Sequence, residues 1–442
     1  MKLLFFLLLV SNCIGEVYFV NKYSSSPSYP FSSWETASHT INDVLDISNE
    51  YSIIKIGPGV YIEDITLDNV SGIKIIGSGS GSWDGYSYNG GTIIKGAFRW
   101  NDSAKNITMK SLAFTPNNPN NSKTYNLSFF GQSGEIEFNS YLYDIAFYGD
   151  SLCVHNTEFR GKKWNIENLR SYNAGIHNLP IKAADSIFKN IYIENNNINS
   201  SFIIIKSHIP LGSPNNLIID GFKIKMSGYT VYPGIFFDNY NSENQTTENV
   251  IIKNGYIQNL TTNNYPCIRF LGDNYNNNYI KNIIIENTIF DGGECGIMIQ
   301  NGFYKSNNMG LDKLYINNCT FINPTGRDQY KVAINNNAGN ENDPGSNIYL
   351  SNINAKDFPK DQVFKNINQT DIKSSFYSGV INGNILLNWT SILGYKYQIQ
   401  SSEDLINWNN ISEEIIGTGT NLTWGSSTIN AQKYYRVIEK YN

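Results

Sequence analysis

The stretch Asn282-Ile283-Ile284-Ile285-Glu286-Asn287-Thr288-Ile289-Phe290 decides the fold, because its pattern returns along most of the chain. It reads polar, apolar, any, apolar, any, then Asn, Gly or Ser, with an apolar residue two or three places on. The same frame fits Gly72 to Gly77, Asn106 to Phe114, Ser151 to Phe159, Asn190 to Ile198, Asn216 to Ile224, Asn249 to Ile257, Lys313 to Phe321 and Asn347 to Ala355. Steps between copies run from 26 to 45 residues, a period that specifies a solenoid. Alternate apolar residues point inward on a strand, and Asn or Gly closing each copy suits a sharp corner with positive φ. Asn195, Gly221, Asn254, Asn287, Asn318 and Asn352 are therefore expected to stack on one corner.

A second strand precedes each later copy: Leu179-Pro180-Ile181, Ile203-Ile204-Ile205, Ile235-Phe236-Phe237, Ile268-Arg269-Phe270, Ile297-Met298-Ile299 and Val332-Ala333-Ile334. Ile136-Glu137-Phe138 is read as a weaker early member. These make one parallel sheet, and the strand after each Asn corner makes another. The Asn-rich interval Pro116 to Lys123 reads as an inserted loop beside a poorly periodic stretch that ends near Asn178.

Composition agrees with strands and turns. The 442 residues carry a net charge of −5 with 16% charged residues, which gives no electrostatic basis for nucleic-acid binding. Residues 1–15 begin with Lys2 and a short apolar run, too short to span a bilayer, and read as a secretory signal. This places the protein outside the cell or on its surface, with no transmembrane segment. Four cysteines then remain, and Cys267 and Cys295 fall on neighbouring coils, where they either pair or stay separate thiols. Residues 16–50 hold the strand Val17-Tyr18-Phe19-Val20 and an amphipathic helix with Ala37, Ile41, Val44, Leu45 and Ser48 on one face, a suitable plug for the open end of a solenoid.

Gly59, Tyr61 and Glu63, followed by Ile73-Lys74-Ile75-Ile76-Gly77, come after that helix. The order resembles the opening of the right-handed parallel β-helix, or pectate-lyase-like, superfamily, over roughly residues 17–375. The resemblance implies an all-β fold, with the parallel β-helix over 51–375. Residues 378–442 alternate with short turns and read as a small β-sandwich. They resemble fibronectin type III-like modules in Ser402 to Trp408 and in Tyr434-Tyr435-Arg436-Val437, with Trp408 either a core or a sugar-binding residue.

In enzymes of that superfamily the substrate lies on outward side chains of one parallel sheet. The second-strand set offers Lys182, Lys206 and Asp238 in one row, with Arg269 one coil further and one row across. These are the candidate catalytic residues, with His177 and His208 near them in the chain. Glu137, Phe236, Gln300 and Asn335 are the candidate substrate-binding residues. A uronic-acid lyase needs a cation for the sugar carboxylate and a base for the neighbouring carbon acid, and these residue types supply both. The row also fits an ordinary exposed ladder with a Lys206–Asp238 ion pair. Glu135 and Glu137, two apart on a strand, suit paired carboxylates or a solvated face, and His155 suits a turn.

Signatures of polygalacturonases, pectin methylesterases, alginate epimerases and calcium-dependent pectate lyases are missing. No metal-ligand cluster is present, and calcium is admissible as a cofactor without any motif for it. Two functions are expected of such a chain: a secreted protein that binds an acidic extracellular polysaccharide and, as an enzyme, cleaves it by β-elimination, or a non-enzymatic adhesin. Nothing in the pattern specifies an oligomeric state.

Overall fold

The computed structural model describes residues 15–83, 88–117, 125–129, 135–149, 155–172, 177–195, 201–207, 213–228, 232–238, 246–261, 265–271, 279–300, 310–325, 332–336, 348–355, 364–365, 377–381, 384–390, 396–402, 409–418, 421–426 and 434–440. Residues 1–14, the Asn-rich interval from 118, His208, Lys331 and Trp408 lie outside this set, as do the side chains of His155 and His177.

The chain from Val17 to Lys365 winds as a parallel β-solenoid in which each strand pairs with its counterpart one coil on. Three sheets run along it. Sheet one begins with Val17–Val20, Ile53–Ile56 and Lys74–Ile76, continues through the first parts of the long strands and ends at Ile348–Ser351. Those long strands include Thr108–Thr115, Glu137–Tyr148, Phe159–Tyr172, Ser186–Asn195, Leu217–Met226, Thr246–Asn259 and Tyr279–Gly292. Their later parts form sheet two. Sheet three holds the shorter strands, among them His177–Ala184, Ser201–Ile205, Ile235–Asp238, Ile268–Leu271, Cys295–Gln300 and Val332–Asn336.

Each of these coils bends twice, at single residues in the left-handed region. The second bend carries Asn168, Asn190, Gly221, Asn254, Asn287, Asn318 and Asn352, with φ from 48° to 75°. Side-chain amides climb this corner: Asn287 donates to Asn254 at 3.1 Å, Asn318 to Asn287 at 2.7 Å and Asn352 to Asn318 at 2.6 Å. A first bend, which the repeat frame marks only as a polar position, carries Asn106, Asn139, Lys163, Asp185, Asn216, Asn249, Asn282 and Lys313. It has its own ladder, Asn249 to Asn216 at 3.0 Å and Asn282 to Asn249 at 3.1 Å. Asn suits both bends because its short amide tolerates positive φ and bonds its equivalent along the ladder.

Two sequence assignments are corrected here. Asn195 is not a corner residue: Lys189 pairs with Asp220 and Ile191 with Phe222, so Asn190 stacks beside Gly221. The copies expected at Ser151 and Asn190 are out of register, and coils beginning at Asn139 and Lys163 take up the poorly periodic stretch. First bends there stand 24 and 22 residues apart, against 33 from Asn216 to Asn249. Short coils keep the strands but shorten the connections, so an averaged period misses them. Ile136-Glu137-Phe138 does join the sheet-three ladder as its weaker early member, because Glu137 stands opposite Lys162 and Lys162 opposite Ala184 of His177–Ala184. Glu137 opens a long strand just before the bend at Asn139 and pairs with Lys162.

Inward side chains build one continuous column. Trp164 stacks on Phe138 at 4.7 Å and meets Trp100 edge-on at 5.1 Å, while Phe237–Phe270 and Phe290–Phe321 stack at 4.4 and 4.7 Å. The indole N–H groups of Trp100 and Trp164 donate to the carbonyls of Ala104 and Arg160, so no polar cost opposes their burial. At the N-terminal end the helix covers only Ile41–Leu45, with Ile41 and Val44 buried in this core. Glu63 accepts the backbone N–H groups of Ile41 and Asn42 at the start of that helix.

Cys267 and Cys295 do not pair. Cys267 stands opposite Gly296, one residue out of step, and both thiols are free and buried with Cys319. Beyond the solenoid, Tyr377–Ile381, Asn384–Thr390 and Asn421–Ser426 form one antiparallel sheet. Lys396–Ser402 pairs antiparallel with Asn409–Asn410, Ile415–Ile416 and Tyr434–Lys440 in another. Leu387, Trp389, Tyr397 and Ile399 from the two sheets form one buried cluster. No helix among the described residues is long and apolar enough to cross a membrane.

Candidate functional site

The outer face of sheet three has two rows, fixed by the ladder register. One runs Arg160, Lys182, Lys206, Asp238, Leu271, Gln300. The other runs Pro180, Ile204, Phe236, Arg269, Met298, Asn335. The structure thus brings together Lys182, Lys206, Asp238 and Arg269, and sets Phe236, Gln300 and Asn335 beside them. Glu137 stands two residues along from the first row, on the coil before Arg160, half-exposed and ion-paired to Lys163 at 2.5 Å, and Glu135 is likewise paired to Lys162. These two carboxylates therefore stand on a solvated edge.

Ile204 and Phe236 face away from the inner column yet are only 5% and 6% exposed. With Pro180 they make a dry apolar floor. The Arg269 guanidinium lies 5.5 Å over the Phe236 ring, and Tyr232 packs against the same ring at 6.5 Å. Asn178 and Phe202 are wholly buried near the start of their strands.

In the first half of the face every charge has a partner. Glu158, which the sequence reading missed, is the hub: Arg160 Nε lies 2.8 Å and Lys182 Nζ 2.5 Å from the same carboxylate oxygen. Burial pushes the Glu158 carboxyl up, but the Arg160 hydrogen bond and the Lys182 charge outweigh it and hold it at about 2. Burial pulls Lys182 down, opposed by Glu158. One coil on, Lys206 donates to Asp238 at 2.8 Å, the ladder pair expected from sequence. Each lysine is thus held as a hydrogen-bond donor. Glu158 escaped notice because its coil lies in the stretch of irregular period; its two-residue offset from Arg160 was the available signal.

The second half differs. Arg269 Nε, Gln300 Oε1 and Asn335 Oδ1 are buried without a hydrogen-bond partner among the described residues. Burial pulls the Arg269 guanidinium down, opposed by Tyr265, Asp238, Glu294 and Tyr232. The three groups stand on successive coils, so about 10 Å separates the outermost two. An apolar platform flanked by two amides and a cation is a set that can take a sugar ring, its hydroxyls and an acidic substituent. No group of three or more His, Cys, Asp or Glu side chains among the described residues is placed to hold a metal ion.

No family model matches the chain, and no curated protein matches it. Solved structures do. An alginate lyase from Paenibacillus sp. strain FPU-7 is 11% identical over 74% of this chain and 95% of its own, with a TM-score of 0.41. The A-module of the Azotobacter vinelandii mannuronan C-5 epimerase AlgE4 is 12% identical over 78% and 97%, at 0.40. The pectate lyase Pel9A is 12% identical over 75% and 78%, also at 0.40. Likenesses at this level carry nothing over to the activity of this chain.

Proposed function

We propose that the outer face of sheet three, from Phe236 to Asn335, binds an extracellular acidic polysaccharide. The observation that carries this is the set of buried polar atoms of Arg269, Gln300 and Asn335 that have no partner among the described residues, beside the dry Phe236 ring. Leaving a polar atom buried and unpaired costs about 1–3 kcal/mol, a cost that a bound sugar hydroxyl or carboxylate removes. Arg269 takes the acidic group, the amides take hydroxyls, and Phe236 with Ile204 takes the apolar face of a ring.

In this reading residues 1–15 are a secretory signal and the Ile41–Leu45 helix caps a β-helix that runs to about residue 375. Residues 378–442 form a fibronectin type III-like sandwich. Cleavage by β-elimination is the second reading. The depressed Lys182 ammonium favours it, with Lys182 or Lys206 as base once displaced from Glu158 or Asp238 and Arg269 as the carboxylate partner.

Titration calorimetry with alginate, pectate and glycosaminoglycans tests the first reading, and release of unsaturated ends absorbing in the near ultraviolet tests the second. Binding lost in Arg269→Ala and retained in an exposed-surface control supports the site. Binding that survives Arg269→Ala, Gln300→Ala and Asn335→Ala together sinks it. Absence of absorbing ends across the panel, with and without calcium, leaves a non-catalytic glycan binder.

A further inference from the structure

Sheet one has an outer face that the site does not use. One outward row carries Ile187, Ile218, Ile251 and Ile284 on successive coils and continues into Tyr315 and Tyr349. All six are partly exposed. One outward isoleucine is ordinary in a strand, since β-branched residues suit it. Six in a column make an unbroken apolar strip about 24 Å long. Beside it, two residues on along each strand, runs Lys189, Asp220, Lys253, Glu286. Lys253 reaches Asp220 at 3.6 Å, while Lys189 and Glu286, at the two ends, make no ion pair with any described residue.

We propose that two copies of this chain pair face to face through sheet one, with their solenoids antiparallel. The charge order selects this arrangement. A two-fold axis lying in the interface along the strands, between the Asp220 and Lys253 coils, reverses the coil order and keeps each row opposite itself. Lys189 then faces the partner's Glu286, and Asp220 faces the partner's Lys253. Ile218 packs on the partner's Ile251, and Ile187 on the partner's Ile284. One coil further out Glu167 meets the partner's Asn317, so no like charges oppose. An axis along the solenoid would instead keep each coil opposite itself, so that Lys189 never meets Glu286.

The end residues without partners are thus the ones that the symmetry pairs. The strip is about 10 Å wide and smaller than the roughly 800 Å² per partner of a standard interface, so the dimer is weak and forms from tens of micromolar upward. It leaves sheet three open in both copies.

Sedimentation equilibrium of the whole chain from about 1 to about 500 µM, at low and high salt, tests this. The expected result is a monomer–dimer equilibrium weakened by salt. Lys189→Glu and Glu286→Lys each weaken it about tenfold, and the K189E/E286K double variant restores it. Ile218→Asp abolishes it; Ile218→Ser, with thermal melts as a folding control, serves if the aspartate variant does not fold. A chain monomeric throughout overturns the proposal. So does a dimer indifferent to the Ile218 variants, or a double charge variant weaker than either single.

Discussion

The two halves of the sheet-three face are built from similar residue types and differ in how they are satisfied. From Glu158 to Asp238 each charge meets an opposite charge within 2.8 Å. From Arg269 to Asn335 polar atoms are buried and unmet among the described residues. A satisfied network holds coils in register; an unsatisfied one costs stability and is retained where a ligand completes it. The first half is therefore assigned to structure and the second to recognition, and each assignment can be broken separately.

Glu158→Gln carries the largest expected effect. It leaves Lys182 without its carboxylate in a dry site, removes the Arg160 ion pair and costs about 3–5 kcal/mol in a urea melt, with glycan affinity of the folded fraction unchanged. A loss of affinity without a loss of stability would move Glu158 into the recognition half. The pH dependence has a definite sign. Because folding depresses the Glu158 carboxyl to about 2, its contribution is complete above the ordinary carboxylate range and is lost as pH falls through that range toward about 2. The amount is about 3 kcal/mol. Glu158→Gln should flatten the acid limb of stability against pH.

Gln300→Leu and Asn335→Leu should each stabilise the free protein by about 1–2 kcal/mol, since an unmet polar atom is replaced by an apolar one. Each should also weaken glycan binding about tenfold. Thermal melts and calorimetry on the same samples read both effects. Destabilisation would show that these amides already have a partner. The smallest effect is expected for Lys206→Met, under about 1 kcal/mol, because the ion pair it removes keeps partial contact with solvent. A cost near that of Glu158→Gln would show the first half to be one cooperative network reaching as far as Asp238.

The solenoid was legible because inward alternation and corner Asn recur wherever coils are about 33 residues long, as from Asn216 to Asn282. The register failed between Asn139 and Asp185, where coils shorten and Lys163 and Asp185 stand in for Asn at the bend. Both can adopt positive φ, so the backbone rule held while the letter code did not. Lys182, Lys206, Asp238 and Arg269 were found together because they lie on regular coils. Glu158 lay on an irregular one. The lack of partners at Arg269, Gln300 and Asn335 among the described residues depends on how tightly neighbouring coils close over them, a three-dimensional property with no signature in spacing.

One regularity of the bends bears on how such a chain tolerates change. The two left-handed residues of a coil stand five apart every time, from Asn106 and Ser111 through Asn139 and Asp144 to Lys313 and Asn318. Successive coils nevertheless begin 22 to 33 residues apart. All variation in length is therefore confined to the arc that carries sheets two and three and their bordering loops. Insertions and deletions there can reshape the recognition face coil by coil while the chord between the bends keeps its length, so this architecture can diversify what it binds without renegotiating how it folds.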